Sequence, residues 1–236
     1  MKRYVVLGRV HPERADVRFT TISLGIGSTG KAQVSCDSSQ LAVVLTDCGF
    51  DGFLSAYIAA EQFASLVTNA LGFYLGTGYS IELIQIVEDD GTPHVIGARP
   101  NGPDGEILGL PEDEALFERA LRLSVSDVFL RFAIADYIRA ITDIGDCGTY
   151  CYRAIESIKS ACAFTAKIDS WQPMHDALGT SRDEIEQIVK KFADPVRHGN
   201  WIELPPTTGV ERYTMLKLTR NILLSYIAHI DKAVKA

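Results

Sequence analysis

Short β-favouring runs dominate the beginning of the chain: Tyr4-Val5-Val6-Leu7, Val17 to Leu24, Ala32 to Cys36 and Leu41 to Thr46. They are separated by His11-Pro12-Glu13-Arg14, Gly25-Ile26-Gly27-Ser28-Thr29-Gly30 and Asp37-Ser38-Ser39, residue types that turn the backbone. Four strands in a meander are predicted. The apolar period then lengthens to three and four residues at Phe53, Ala56, Tyr57, Ala60, Phe63, Leu66, Val67 and Leu71. This predicts an amphipathic helix over residues 52–72 that covers one face of the sheet. After Gly76-Thr77-Gly78, the runs 79–87 and 94–97 flank Glu88-Asp89-Asp90-Gly91-Thr92-Pro93, a hairpin connection.

Arg99-Pro100-Asn101-Gly102-Pro103-Asp104-Gly105 is the densest cluster of Pro, Gly and Asn, and it marks the change from strand to helix patterning. The predicted organisation is therefore α+β, with a strand-rich domain over residues 1–110 and an antiparallel helical bundle over residues 111–236. Pro111 followed by Glu112, Asp113 and Glu114 predicts a helix start. Residues 124–144 are apolar except for Asp127, Arg131, Asp136, Arg139 and Asp143, which form one narrow stripe and predict a helix central in the bundle. A third helix is predicted from Tyr150 to Thr165, with Cys151, Ala154, Ile155, Ile158 and Cys162 on one face. Ser181-Arg182-Asp183-Glu184 has the capping pattern that opens a fourth, which Pro195 closes. The last follows Gly209 and buries Leu216, Leu223, Ile227, Ile230 and Val234, leaving a polar loop over residues 197–209.

The 236 residues are 47% hydrophobic with nine prolines, which excludes collagen-like and disordered classes. The net charge of −7 gives no general attraction to phosphate backbones or anionic lipid, although a local basic patch is compatible with it. The apolar run after Met1-Lys2-Arg3 is too short for a signal-peptide core, and no stretch approaches the roughly 18 apolar residues of a membrane span. A cytoplasmic protein without a membrane partner is expected. Five scattered cysteines, Cys36, Cys48, Cys147, Cys151 and Cys162, read as reduced thiols. Cys147 and Cys151 share the spacing of two metal ligands on a helix face, but no second Cys/His pair is near and His175 is isolated, so buried apolar cysteines and no metal are expected.

The glycine-rich segment 25–30 has neither the spacing nor the Lys-Ser/Thr end of a phosphate loop, and it reads as a strand connection. No cofactor is expected. Ala193-Asp194-Pro195-Val196-Arg197-His198-Gly199-Asn200-Trp201 is more informative, because a proline, then Gly and Asn, place an Arg-His pair at a helix end. A guanidinium that holds phosphate beside an imidazole that moves a proton suits phosphodiester cleavage. The alternative is that Arg197 interacts with the last carbonyls of the fourth helix while His198 bonds locally.

A helical bundle with Tyr152-Arg153-Ala154-Ile155-Glu156 on one helix and Val196-Arg197-His198-Gly199 before the last resembles the HEPN superfamily of bacterial defence and toxin proteins, over residues 112–236. The resemblance implies a homodimer with the active groove at its interface and, in active members, metal-independent RNA cleavage. The family's signature is an arginine, usually followed by a polar residue, with a histidine after four to six intervening residues. This sequence departs from it, since the positions for the distal histidine are Ile202, Glu203 and Leu204. Either His198 takes the catalytic role with Arg197, or the chain is a non-catalytic relative that binds RNA or a partner.

Arg153 and Glu156 are three residues apart on one helix face, which fits a surface ion pair, or a Glu156 that reaches across to orient Arg197 or His198. Asn200 joins them as a binding or orienting candidate. Arg131, Asp136 and Arg139 pose the same choice between an ion-pair network and a basic groove edge. Trp171, Trp201 and Tyr213 read as base-stacking platforms or as packing near helix starts. A protein or small ligand is the expected partner of the strand-rich domain. A dimerising sensor or interaction module is the non-enzymatic alternative, and convergence of Arg131, Arg139, Arg153 and Arg197 in one groove would distinguish nucleic-acid binding from it.

Overall fold

Alternating burial shapes the first part of the chain into a six-stranded antiparallel sheet. The structure, a computed structural model, describes residues 2–95, 114–143, 145–200, 202 and 207–235. Its strands are β1 (Arg3–His11), β2 (Phe19–Ile26), β3 (Gly30–Asp37), β4 (Gln40–Thr46), β5 (Ser80–Val87) and β6 (Pro93–Val95), in the order β2-β3-β4-β1-β5-β6. The first four strands therefore depart from a simple meander. β1 carries a buried row of Tyr4, Val6 and Val10 and lies between β4 and β5, with Val5 opposite both Val44 and Val87. Such a strand satisfies its backbone groups on both sides, whereas the mostly exposed β2 forms an edge.

Turn chemistry fixes the hairpins. Ser38 and Ser39 both take positive φ between β3 and β4, the backbone of a two-residue connection whose twist matches the strands. Segment 25–30 joins β2 to β3 with Ile26 opposite Gly30, as a strand connection. Helix α1 (Phe53–Leu75) is longer than its predicted 52–72 span and ends at the left-handed Gly76. It buries Ala56, Ala60 and Ala64, small residues at helical spacing that let the helix approach the sheet closely. Phe53, Tyr57, Phe63 and Leu71 pack around that stripe, but Leu66, read with them as apolar-face, is exposed.

The chain divides into two compact units, Met1–Ala98 and Arg99–Ala236. The Pro/Gly/Asn segment 99–105 and the helix start at Pro111 lie outside the described residues. In the second unit the described helices are α2 (Glu114–Ser126), α3 (Val128–Thr142), α4 (Cys147–Ala166), α5 (Gln172–Leu178), α6 (Arg182–Ile185), α7 (Lys191–Arg197) and α8 (Gly209–Lys235). No helix among the described residues is long and apolar enough to cross a membrane.

The helix predicted over residues 124–144 is broken at Asp127. This residue takes an extended conformation, and its Oδ1 accepts the Leu130 N–H at 2.9 Å, so it starts α3 as an N-cap instead of continuing α2. Nor is α3 central: Val128, Phe132 and Ile138 are exposed. The central helix is α4, which buries ten residues and contacts α3, α5, α7 and α8. Gly148 is required there, because a Cβ would lie 2.9 Å from that of Phe192 on α7. Leu216, Leu223 and Ile227 of α8 are buried as the spacing implies, whereas Ile230, read with them, is only half-buried and the Val234 side chain lies outside those described.

A further correction concerns Pro195, which lies inside α7 and does not end it. Termination falls to Gly199 at φ 68°, where Gly199 N–H donates to the Val196 carbonyl at 3.1 Å and Asn200 N–H to the Pro195 carbonyl at 2.8 Å. That pair of bonds is the glycine-dependent C-terminal cap, and it places His198 at the C-cap.

Candidate functional site around Arg197 and Tyr152

The local sequence explains the continuous helical path from Arg182 to Arg197. Ser181 Oγ accepts from Glu184 N–H, opening α6, and residues Glu186–Lys190 then form a π-turn before α7 resumes. A π-turn shifts the side chains that follow it relative to a regular helix and often marks a functional position. A ladder at i,i+4 spacing runs along one side of this segment: Arg182 Nε donates to Glu186 Oε1 at 3.0 Å, and Lys190 Nζ lies 3.8 Å from both Glu186 and Asp194. The hydrogen bond from Arg182 holds the Glu186 carboxyl below the usual glutamate range.

Arg197 ends that ladder. Its Nη1 lies 3.5 Å from Glu156 Oε1 on α4 and 3.9 Å from Asp194 Oδ1, and its guanidinium is 5.1 Å from the centre of the Tyr152 ring. Glu156 thus reaches Arg197 across the bundle and does not pair with Arg153. Burial, then the Glu156 carboxylate, pushes the Tyr152 phenol above its ordinary value. His198 is exposed at the helix end, and Asn200 engages α7 through its backbone N–H.

Arg153 belongs to a second group. Its Nη2 donates to Asp136 Oδ1 at 3.0 Å, Arg139 Nη1 is 3.7 Å from the same oxygen, and both guanidinium groups lie against the Tyr150 ring. Asp136 is buried at 6% exposure, so the two cations compensate a carboxylate that would be costly alone. Arg139, Arg153 and Arg197 are therefore each matched by acids, while Arg131 is simply exposed.

The aromatic candidates separate. Tyr213 is buried and offers no stacking face, whereas Trp201 lies outside the described residues, as do the distal-histidine positions Glu203 and Leu204; the predicted polar loop is described at residues 197–200, 202 and 207–209. Trp171 stacks between Tyr152, at 6.1 Å between ring centroids, and His175, at 6.2 Å. These rings and the Arg182–Lys190 ladder border a cavity of about 380 Å³. Sequence reasoning found Trp171 only as an isolated aromatic and missed His175, Arg182 and Lys190. The available signal was the short helix α5, with Pro173 in its first turn and Gly179 beyond its end.

Cys147 and Cys151 are buried within α4, and all five cysteines are free. A hydrogen bond to Cys151, reinforced by burial, pushes the Cys147 thiol well up. No group of three His, Cys, Asp or Glu able to hold a metal ion occurs among the described residues.

Residues 4–96 match the N-terminal domain of the domain of unknown function DUF8168, and residues 115–231 match its C-terminal domain. No curated protein and no solved structure matches the chain.

Proposed function

For a chain that belongs to the DUF8168 family, carrying both of its domains, we propose a non-enzymatic interaction module with a HEPN-like bundle. The observation that carries this reading is the charge around Arg197: Glu156 and Asp194 both lie within 4 Å of its guanidinium. The cation is thus already matched by Glu156 and by an Asp194 that it shares with Lys190, so a phosphodiester approaching it competes with carboxylates in place. The paired state of Arg139 and Arg153 points the same way. In this reading Glu156 and Arg197 tie α4 to α7, and the protein acts by binding a partner in the cytoplasm, where its five free thiols fit a reducing compartment.

Dimerisation through the bundle belongs to the same proposal. Phe117, Leu121 and Val125 recur every four residues along α2 and are exposed, a stripe suited to a second copy of the chain. Sedimentation velocity of the full chain and of Leu121→Glu distinguishes a dimer that the charge disrupts from a monomer.

The second reading, a metal-independent ribonuclease of bacterial defence, draws on the exposed His198 beside Arg197 at the end of α7. Arg197 would hold the phosphate and His198 would move the proton. Incubating the full chain with single-stranded and structured RNA in EDTA separates the two. No cleavage and no RNA retention supports the interaction module. Cleavage abolished by both Arg197→Ala and His198→Ala, with helical circular dichroism unchanged, replaces it with the ribonuclease.

A further inference from the structure

The cavity beside Arg197 has two chemically different sides. Tyr152, Trp171 and His175 form a row of rings, with interplanar angles of 29° and 21° along it. Arg182, Glu186 and Lys190 supply a charged side with two cations to one carboxylate. The cavity volume of about 380 Å³ falls in the roughly 300–1,000 Å³ range of small-molecule sites.

Two observations independent of the cavity's shape bear on occupancy. The His175 ring bonds Thr180 Oγ1 through Nδ1 at 2.7 Å, while its Nε2 is buried without a hydrogen-bond partner among the described residues. Buried polar atoms are ordinarily paired, and this unpaired nitrogen belongs to a ring that lines the cavity, so hydrogen-bonding capacity is left unused at its wall. The π-turn is the other. It interrupts an otherwise helical segment where Glu186 and Lys190, its first and last residues, border the cavity.

We propose that this cavity binds a small planar aromatic anion, with the ring against Trp171 and the phosphate or carboxylate group against Lys190 and Arg182. Glu186 already accepts a hydrogen bond from Arg182 at 3.0 Å, whereas Lys190 is 3.8 Å from each of its two carboxylate neighbours. The ammonium at that distance retains hydrogen-bonding capacity for a stronger, charge-assisted contact. Neither Arg197 nor His198 lines the cavity, so this proposal does not depend on which functional reading holds.

The sequence has two tryptophans, so Trp201→Phe leaves Trp171 as the sole indole reporter in the full chain. Adenosine monophosphate and 2-naphthoate are titrated separately, following Trp171 fluorescence, with calorimetry on the unsubstituted chain as a second readout. Saturable binding of either supports the site, and the preferred probe identifies phosphate or carboxylate as the anionic group. Lys190→Ala is expected to weaken binding by about tenfold or more, and Lys190→Arg to recover most of it. Raising the salt concentration should weaken binding as well, because the charged side is partly exposed. The proposal is overturned if neither probe binds with both readouts, or if binding is indifferent to Lys190→Ala and Arg182→Ala while the variants retain native circular dichroism.

Discussion

Tyr226 on α8 donates its hydroxyl to Asp127 Oδ2 at 2.7 Å, while the other oxygen of the same carboxylate caps α3. One side chain therefore ends α2, starts α3 and ties that junction to the last helix. Asp127→Ala removes the cap and leaves the hydroxyl of the buried Tyr226 without its acceptor, an expected loss of about 2 kcal/mol. Asp127→Asn keeps one acceptor oxygen for the Leu130 N–H, while its amide nitrogen can only donate to the Tyr226 oxygen, so it should recover the cap and part of the loss. Urea unfolding of the full chain, followed by circular dichroism, measures the difference.

Alkaline stability follows from two phenols. Burial and the hydrogen bond to Asp127 raise the Tyr226 pKa above its ordinary 10.0, and burial pushes Tyr137 up to about 12. Both groups hold their protons more tightly in the folded state. Their contribution is thus complete below about pH 10 and is lost as pH rises through the folded values. Denaturation midpoints should fall more steeply above pH 10 for the unsubstituted chain than for the Tyr137→Phe/Tyr226→Phe double variant. At neutral pH Tyr137→Phe alone should be within about 1 kcal/mol of the parent or more stable, because its buried hydroxyl has no partner among the described residues.

Asp136 ranks its two arginines. Arg153 approaches at 3.0 Å and Arg139 at 3.7 Å, both with side chains about half exposed. Arg153→Ala should cost about 1–2 kcal/mol, reflecting a buried carboxylate left with its weaker partner, and Arg139→Ala less than about 1 kcal/mol. Parallel chemical denaturation of the two variants tests the order.

Close backbone approach makes two glycines intolerant of a side chain. At Gly8, where β1 shifts register against β5, an added Cβ would lie 2.4 Å from the Glu82 carbonyl oxygen. At Gly148 it would meet Phe192. Gly8→Ala and Gly148→Ala should each destabilise their own unit by about 1–3 kcal/mol, whereas Gly25→Ala, with nothing within 4 Å, should be near neutral. Hydrogen exchange resolved by residue assigns each loss to residues 2–95 or to the bundle.

Local chemistry alone determined the α+β class, the strand runs, the Ser181 cap and the buried seam of α8, because alternation, helical period and capping act between residues near in sequence. It also offered, as the alternative to an Arg153–Glu156 pair, a Glu156 that reaches across to Arg197 or His198, and tertiary structure chose Arg197. Tertiary structure decided what neighbours in sequence cannot: that β1 pairs between β4 and β5, that α4 and not residues 124–144 forms the centre, and that Arg153 turns to Asp136. Pro195 illustrates the reason. Its ring argues for a helix end by local rules, yet α7 runs through it to Arg197 and is ended only by the Gly199 cap. The cavity was hidden for the same cause, since Tyr152, Trp171 and Lys190 become neighbours only when α4, α5 and the π-turn pack together.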